Sequence, residues 1–322
     1  MRISFQKSID IINNANNIAL FCHTRPDGDT LGSALALKLA LQKINKIVDI
    51  YCDDPIPEKF CRLGFEGHFY GKIDDLFKYD LYLALDCGDI GRVGLFGNKF
   101  LKHNNTLAID HHITHQDFAK QTYVENLSST CEIVLKIINN LNIPLNDEIA
   151  TILFVGLSTD TGNFKHNNTN QSTFNAAKQL ADFDVDISEI NRILYNETQY
   201  ERLKLLGRAL TNMRKFYGGR LCIMFVTLKD FQDTFSNMSH TEGFTDYAIN
   251  VKTAQIGICI SQHNKNTFKI SMRSKKINVA EICGYFGGGG HALAAGCMMS
   301  GFLEDIIDKI VRIVEDVEWT DF

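Results

Sequence analysis

The chain lacks any apolar stretch near the roughly 20 residues that span a bilayer. Its first residues, Met1-Arg2-Ile3-Ser4-Phe5-Gln6-Lys7, are amphipathic and carry no signal-peptide core. Nine cysteines, an odd number, are scattered without a single C-x-x-C pair. That pattern excludes a disulfide framework and a thiolate zinc site, and it points to a reducing cytoplasm. A basic surplus is also missing, since the formal net charge is −5. Proteins that grip long nucleic acid draw affinity from neutralising phosphates. A small or short phosphorylated substrate therefore suits this chain better than a long duplex, and bound cations would cancel part of the acidity. Prolines number four, while Asn, Ile and Lys are plentiful. This bias reflects the base composition of a genome, not a mechanism. No repeat of solenoid period and no low-complexity tract is present.

What remains is ordinary globular composition, 45% hydrophobic and 22% charged over 322 residues. The length favours two domains. In the first half, strand patterns at 18–23, 47–51, 81–85 and 106–109 alternate with helical patterns at 30–42, 128–140, 146–158 and 171–182. Such alternation indicates a mainly parallel sheet flanked by helices, an α/β fold. Near Asp184 the pattern changes. Residues 186–214 read as one or two polar helices of the kind that bridge domains. After Gly218-Gly219 a second series follows, with strands at 221–226, 254–261 and 267–272 and a helix at 301–315. The expected organisation is a domain at 1–185, a helical linker at 186–214 and a smaller α/β domain at 215–322.

Four apolar runs end in acids and imidazoles. Ile18 to Cys22 leads into His23-Thr24-Arg25-Pro26-Asp27-Gly28-Asp29, and Leu83 to Leu85 into Asp86. Leu107 to Ile109 leads into Asp110-His111-His112, and Val155 to Leu157 into Ser158-Thr159-Asp160. Open α/β sheets build their sites at the carboxyl ends of strands. One such acid is usually a turn or cap residue, but four clusters at one topological point call for a shared task. Oxygen donors mixed with imidazole, without thiolate, suit Mn²⁺, with Mg²⁺, Co²⁺ or Fe²⁺ as competitors. Two cations about 3.5–4 Å apart need a shared carboxylate, and such a pair acidifies a water and clamps a phosphoryl oxygen. Asp86, emerging mid-sheet, is the natural bridge. Pro26 and Gly28 turn the first loop sharply, so that Asp27 and Asp29 can face different metals. Cys22 and Cys87 read as small core residues beside these positions.

His23-x-x-x-Asp27-x-Asp29, Asp86, Asp110-His111-His112 and Asp160 together resemble the four motifs of the DHH phosphoesterases. Gly287-Gly288-Gly289-Gly290-His291-Ala292-Leu293-Ala294-Ala295-Gly296 resembles the glycine-rich signature of the DHH-associated C-terminal domain. The resemblance covers nearly the whole chain in the right order. It implies His23, Asp27 and Asp86 as ligands of one metal, and Asp29, Asp86, His111 and Asp160 as ligands of the other. It makes Asp110 an orienting acid and His112 a residue facing the scissile phosphate. It assigns Arg273, Ser274, Gly288, Gly289, Gly290 and His291 to substrate binding, with the active site in the cleft between the domains and a homodimer as the assembly.

Four glycines in a row leave backbone N–H groups unobstructed and allow positive φ. Followed by a helical pattern, they are expected to cradle an anion at a helix N-terminus. Arg273 and Ser274 are expected on the loop after strand 267–272. Arg92 is a further cation that could face the site. The resemblance is nearest to stand-alone two-domain enzymes that degrade short oligoribonucleotides and dephosphorylate 3′-phosphoadenosine 5′-phosphate. Relatives that hydrolyse cyclic di-AMP or linear pApA share the same motifs and stay open at this point. An inorganic pyrophosphatase is disfavoured by the Gly287–His291 segment, and a non-catalytic nucleotide sensor by the intact ligand set.

Overall fold

Short β-branched and leucine-rich runs separated by longer helical stretches organise the first part of the chain as successive strand-then-helix units. The computed structural model describes residues 1–73, 78–315 and 317–319. It divides into two units, Met1–Glu197 and Thr198–Phe322.

In the first unit the elements are α1 (Phe5–Asn14), β1 (Asn17–Phe21), α2 (Gly28–Gln42), β2 (Ile47–Tyr51), α3 (Glu58–Phe60), β3 (Phe69–Tyr70), β4 (Leu81–Leu85), α4 (Gly97–Lys102), β5 (Thr106–Asp110), β6 (Gln121–Val124), α5 (Thr130–Asn140), α6 (Asp147–Asp160), α7 (Gln171–Leu180) and α8 (Ile187–Asn191). The six strands pair in parallel in the order β3-β2-β1-β4-β5-β6. The chain reverses its direction of travel between β1 and β4, the topological switch point at which such sheets open a crevice. Every residue of β5, and four of five in β1 and β4, is buried, as a sheet covered on both faces requires. Leucines and isoleucines of α2, α5 and α6 fill one face. An aromatic layer with Phe21, Tyr51, Phe96 and Phe100 fills the other. Strands β3, of two residues, and β6, of four, are short, and no alternation in the sequence marks them.

Helix α2 is buried nearly all round, so its leucines show no single apolar face. Its approach to α6 depends on glycine. A Cβ on Gly28 would stand 2.4 Å from Thr159 Oγ1, and one on Gly156 would stand 3.0 Å from Gly28 O. This contact draws the last turn of α6 up to the first turn of α2. Asp160 therefore comes from a helix end, not from a strand end as its apolar run suggested.

The second unit contains α9 (Tyr200–Thr211), β7 (Arg214–Phe216), β8 (Leu221–Val226), α10 (Leu228–Asp233), α11 (Phe244–Ile249), β9 (Ile256–Asn264), β10 (Thr267–Ser274), α12 (Val279–Gly284), β11 (Gly289–His291), β12 (Ala294–Ser300) and α13 (Leu303–Ile313). Its sheet runs β11-β12-β10-β9-β8-β7, antiparallel except for β8 beside β9. Two expectations are corrected here. Arg273 and Ser274 end strand β10 instead of lying on the loop beyond it. The glycine run enters β11 and forms an edge hairpin with β12, so it opens no helix. The small residues that follow it alternate inward and outward and pair with β10. Glycine is needed for that closeness: a Cβ on Gly288 would lie 2.3 Å from Gly296 O, and Gly290 adopts a φ of 146°. Among the described residues, no helix in either unit is long and apolar enough to cross a membrane.

Candidate active site

Chain geometry at the ends of β1 and β4 sets the first donors. His23 follows β1 and is buried. Its backbone N–H donates to Thr30 Oγ1 at 3.2 Å, and Thr30 Oγ1 donates to Leu85 O at 3.1 Å, tying the two strand ends together. Asp27 is the N-cap of α2. Its Oδ1 accepts from the backbone N–H groups of Asp29 and Thr30. Its Oδ2 is thereby left 3.5 Å from His23 Nε2. Asp86, the residue after β4, has a φ of 59°. Aspartate tolerates this left-handed region better than most residues. Asp86 Oδ2 lies 3.5 Å from His23 Nε2, and its Oδ1 lies 3.6 Å from His111 Nε2.

Asp29, in the first turn of α2, is fully buried, and its carboxylate reaches across to the start of α5. Its oxygens accept from Thr130 N at 2.7 Å and Cys131 N at 2.8 Å. Thr130 Oγ1 also donates to Asp86 Oδ1 at 3.2 Å. Asp160 receives Asn168 Nδ2 at 3.2 Å. His111 Nε2 faces all three carboxylates, at 4.0 Å from Asp29 Oδ2, 3.6 Å from Asp86 Oδ1 and 3.6 Å from Asp160 Oδ2.

Two groups of donors therefore stand side by side and share Asp86: His23 with Asp27 and Asp86, and His111 with Asp29, Asp86 and Asp160. The imidazoles are set up to coordinate. Nδ1 of His23 donates to Thr24 O at 2.9 Å, and Nδ1 of His111 donates to Leu127 O at 3.2 Å. Each bond fixes the tautomer and leaves Nε2 as the free donor. His111 Nε2 is buried without a hydrogen-bond partner. A bare lone pair facing three carboxylates is repulsive until a cation stands between them. Donors about 2.0–2.2 Å from one cation lie roughly 3–4 Å apart, which matches the separations above. The residues fit a divalent metal.

The protonation pattern carries the same signature of excess negative charge. Burial would push the His23 imidazolium down, but Asp27 and Asp86 outweigh it and raise it to about 10. Burial, then the neighbouring charges of Asp86, Asp160 and Asp27, push Asp29 well up. Burial likewise raises Asp160 to about 6, with His111 opposing and Asp86 and Asp27 adding.

Asp110, at the end of β5, is fully buried and is not free to coordinate. Its Oδ1 accepts from His111 N at 2.7 Å, His112 N at 3.1 Å and His112 Nδ1 at 2.7 Å. Its Oδ2 accepts from His115 Nδ1 at 2.7 Å. Burial would raise this carboxyl, but the imidazole bonds hold it far below the usual range. Asp110 in turn lifts His112 to about 9, against the effect of burial. The His112 side chain is 47% exposed, unlike its neighbour.

The sequence reading missed four supporting residues. Thr130 could have been found, because Ser129-x-x-Glu132 marks a helix start whose N–H groups seek an anion. The anion is Asp29. Thr30, Asn168 and His115 carried no signal of their own.

Of the residues assigned to substrate, Arg273 lies in the second unit on the outward face of β10 with Lys269 and Ser271, where Gly296 of β12 pairs with Ser271. These line a cavity of about 450 Å³ together with Asp246. Arg273 Nε is 3.9 Å from Asp246 Oδ1. Ser274 is buried, and its Oγ accepts from Lys276 N. Gly289, Gly290 and His291 are exposed along β11.

Known proteins share this architecture and sequence. The chain is 28% identical to the bifunctional oligoribonuclease and PAP phosphatase NrnA of Thermus thermophilus, over 93% of this chain and 89% of that protein. It is 27% identical to the protein of the same name from Mycoplasma genitalium, over 96% and 98%. A crystal structure of an exopolyphosphatase-related protein from Bacteroides fragilis superposes with a TM-score of 0.82 at 24% identity, over 96% of both chains. The DHH family N-terminal domain model matches residues 17–157, and the DHHA1 domain model matches residues 218–318. With the motif residues gathered as described, the chain carries a DHH family N-terminal domain followed by a DHHA1 domain.

Proposed function

We propose that this chain is a metal-dependent phosphoesterase that hydrolyses short oligoribonucleotides to mononucleotides and converts 3′-phosphoadenosine 5′-phosphate to AMP. The observation that carries the reading is the unpartnered Nε2 of His111 among the carboxylates of Asp29, Asp86 and Asp160. Full-length similarity to proteins named oligoribonuclease and PAP phosphatase supports the substrate class. His23, Asp27 and Asp86 would hold one cation and Asp29, Asp86, His111 and Asp160 a second, with Mn²⁺ preferred over Mg²⁺ or Co²⁺. Bound there, the pair would supply the Lewis acidity that polarises a phosphoryl oxygen and acidifies a water.

The chain's own residues do the rest. Asp110 holds Nδ1 of His112, which leaves Nε2 to present a proton. As the oxygen of water bonds to phosphorus, the water gives up a proton to solvent, the bond from phosphorus to the leaving oxygen breaks, that oxygen takes the Nε2 proton, and His112 is reprotonated from solvent. Arg273, Ser274, Gly288, Gly289, Gly290 and His291 would bind the nucleotide that does not react. The substrate is a short RNA or a small nucleotide in the cytoplasm.

The test is a kinetic comparison with Mn²⁺ of di- to pentanucleotide RNA, 3′-phosphoadenosine 5′-phosphate, linear pApA, cyclic di-AMP and pyrophosphate. Short RNA and 3′-phosphoadenosine 5′-phosphate should give the highest kcat/KM. Preference for cyclic di-AMP or pApA would move the chain to that activity, and preference for pyrophosphate would overturn the phosphoester reading.

A further inference from the structure

The loop after Asp110-His111-His112 carries a third imidazole. His115 has a fully buried side chain, and its Nδ1 donates to Asp110 Oδ2 at 2.7 Å. Its backbone N–H donates to His112 O at 3.1 Å, so the residue is folded back beneath the histidine that meets solvent. The ring lies 5.3 Å from that of Phe118. Its Nε2 is buried without a partner. A histidine placed only for packing would not leave a ring nitrogen unsatisfied, because a buried polar atom without a partner is destabilising. That loss is tolerated for the bond made by Nδ1.

We propose that His115 is a positioning residue that acts on His112 through Asp110. A carboxylate rotates about its Cβ–Cγ bond unless both oxygens are held. Oδ1 of Asp110 takes the two backbone N–H groups and Nδ1 of His112. Among the described residues Oδ2 accepts from His115 Nδ1 at 2.7 Å. With Oδ2 released, the carboxylate can turn toward other donors, and the aim of the His112 ring is lost with it. His115 touches neither substrate nor the candidate metal ligands' donor atoms. Its effect should therefore fall on turnover and leave metal affinity alone. Removing a residue that orients an active-site group in this way typically costs 10–100-fold.

The inference rests on the hydrolytic reading of the site, and its test separates the two. The amide nitrogen of Asn can take the place of imidazole Nδ1, whereas that of Gln sits one carbon further out. His115→Asn should keep kcat within about fivefold of the parent. His115→Gln and His115→Leu should lower kcat by roughly 10–100-fold, with KM and Mn²⁺ affinity within about threefold. Nuclear magnetic resonance of the metal-free protein gives a readout that needs no substrate. The hydrogen-bonded Nδ1 protons of His112 and His115 should both give downfield signals. The His112 signal should persist in His115→Asn and disappear in His115→Gln. Equal kcat in all variants, an Asn variant as impaired as the Gln variant, or a His115 ring protonated at Nε2 alone overturns the proposal. If the parent hydrolyses no phosphoester, the hydrolytic reading fails, and the His112 signal in the Gln variant still decides whether His115 fixes that ring.

Discussion

Nε2 of His111 lies 3.6 Å from Oδ1 of Asp86, too far for a hydrogen bond and close enough for both atoms to bind one cation. Oδ2 of Asp86 stands in the same relation to His23 at 3.5 Å. The two oxygens of Asp86 thus each face a candidate ligand imidazole, Oδ2 that of His23 and Oδ1 that of His111, and this makes Asp86 the point at which two metals would meet. Replacing Asp86 by Asn keeps the shape and tolerates the positive φ, but it removes the shared charge. Asp86→Asn should retain the parent's circular dichroism and unfolding temperature within a few degrees while losing at least about three orders of magnitude in kcat with Mn²⁺. Activity above about a tenth of the parent's would remove Asp86 from the bridging role.

His111 and His112 are neighbours with different surroundings, and their variants should separate. His111 is almost buried and points Nε2 at carboxylates; His112 is 47% exposed and bonds Asp110. His111→Ala should weaken Mn²⁺ binding by roughly 10–100-fold and lower activity accordingly. His112→Ala should bind Mn²⁺ normally and lose about 10²–10⁴-fold in kcat, the range for a general acid. Calorimetric titration of both variants with Mn²⁺ checks this. Equal loss of metal affinity in the two would reverse the assignment of roles.

The candidate ligands were legible in the sequence because they lie at or just after the ends of apolar runs, and burial marks such runs strongly. The strand-helix alternation was legible for the same reason: β1, β4 and β5 are buried on both faces and read as continuous hydrophobic stretches. Strands β3 and β6 were not, since an edge strand of two or four residues carries too little apolar surface to stand out. Asp160 ends the helix expected at 146–158, although its apolar run was grouped with the strand ends. The approach of α2 to α6 rests on Gly28 and Gly156, and no local pattern tells which helix a glycine faces. The glycine run at 287–290 suggested a helix start because the small residues after it are compatible with helix. Pairing with β10 decided otherwise, and such pairing is a non-local property. His115 escaped notice because a polar residue's burial depends on the carboxylate it meets.

Within the glycine run, the positions should differ in a way that flexibility alone would not produce. A Cβ on Gly288 would collide with backbone and side-chain atoms of Gly296 and Cys297 at 2.3–2.7 Å, whereas one on Gly289 meets nothing within 4 Å. Gly288→Ala should destabilise the fold by about 1–3 kcal/mol, the usual cost of overpacking. Gly289→Ala should leave unfolding within about 0.5 kcal/mol of the parent. Denaturant melts of the two variants check this, and equal stabilities would mean that the hairpin is looser than its geometry requires.

Arg273 and His291 belong to the second unit and would bind the part of the substrate that does not react. Arg273 projects from the outward face of β10 beside Lys269 and Ser271, and Asp246 lies 3.9 Å away without making a close pair. The guanidinium, whose Nη1 also donates to Met272 O at 3.3 Å, keeps further N–H donors for a phosphate or a base. His291 is exposed at the end of β11. Arg273→Ala and His291→Ala should mainly raise KM, and more for a dinucleotide than for a generic chromogenic phosphodiester that lacks the remote nucleotide. A charge-assisted hydrogen bond is worth about 1.5–3 kcal/mol, or roughly 10–100-fold. Part of that binding energy can serve to align the scissile phosphate, in which case kcat for the dinucleotide falls as well. The chromogenic substrate forms neither contact and should lose no more than about twofold by the same reasoning. Unfolding curves of both variants should match the parent, since neither side chain is buried. If the two substrates lose activity in equal measure, these residues serve the chemistry or the fold, and the assignment of substrate recognition to the second unit falls.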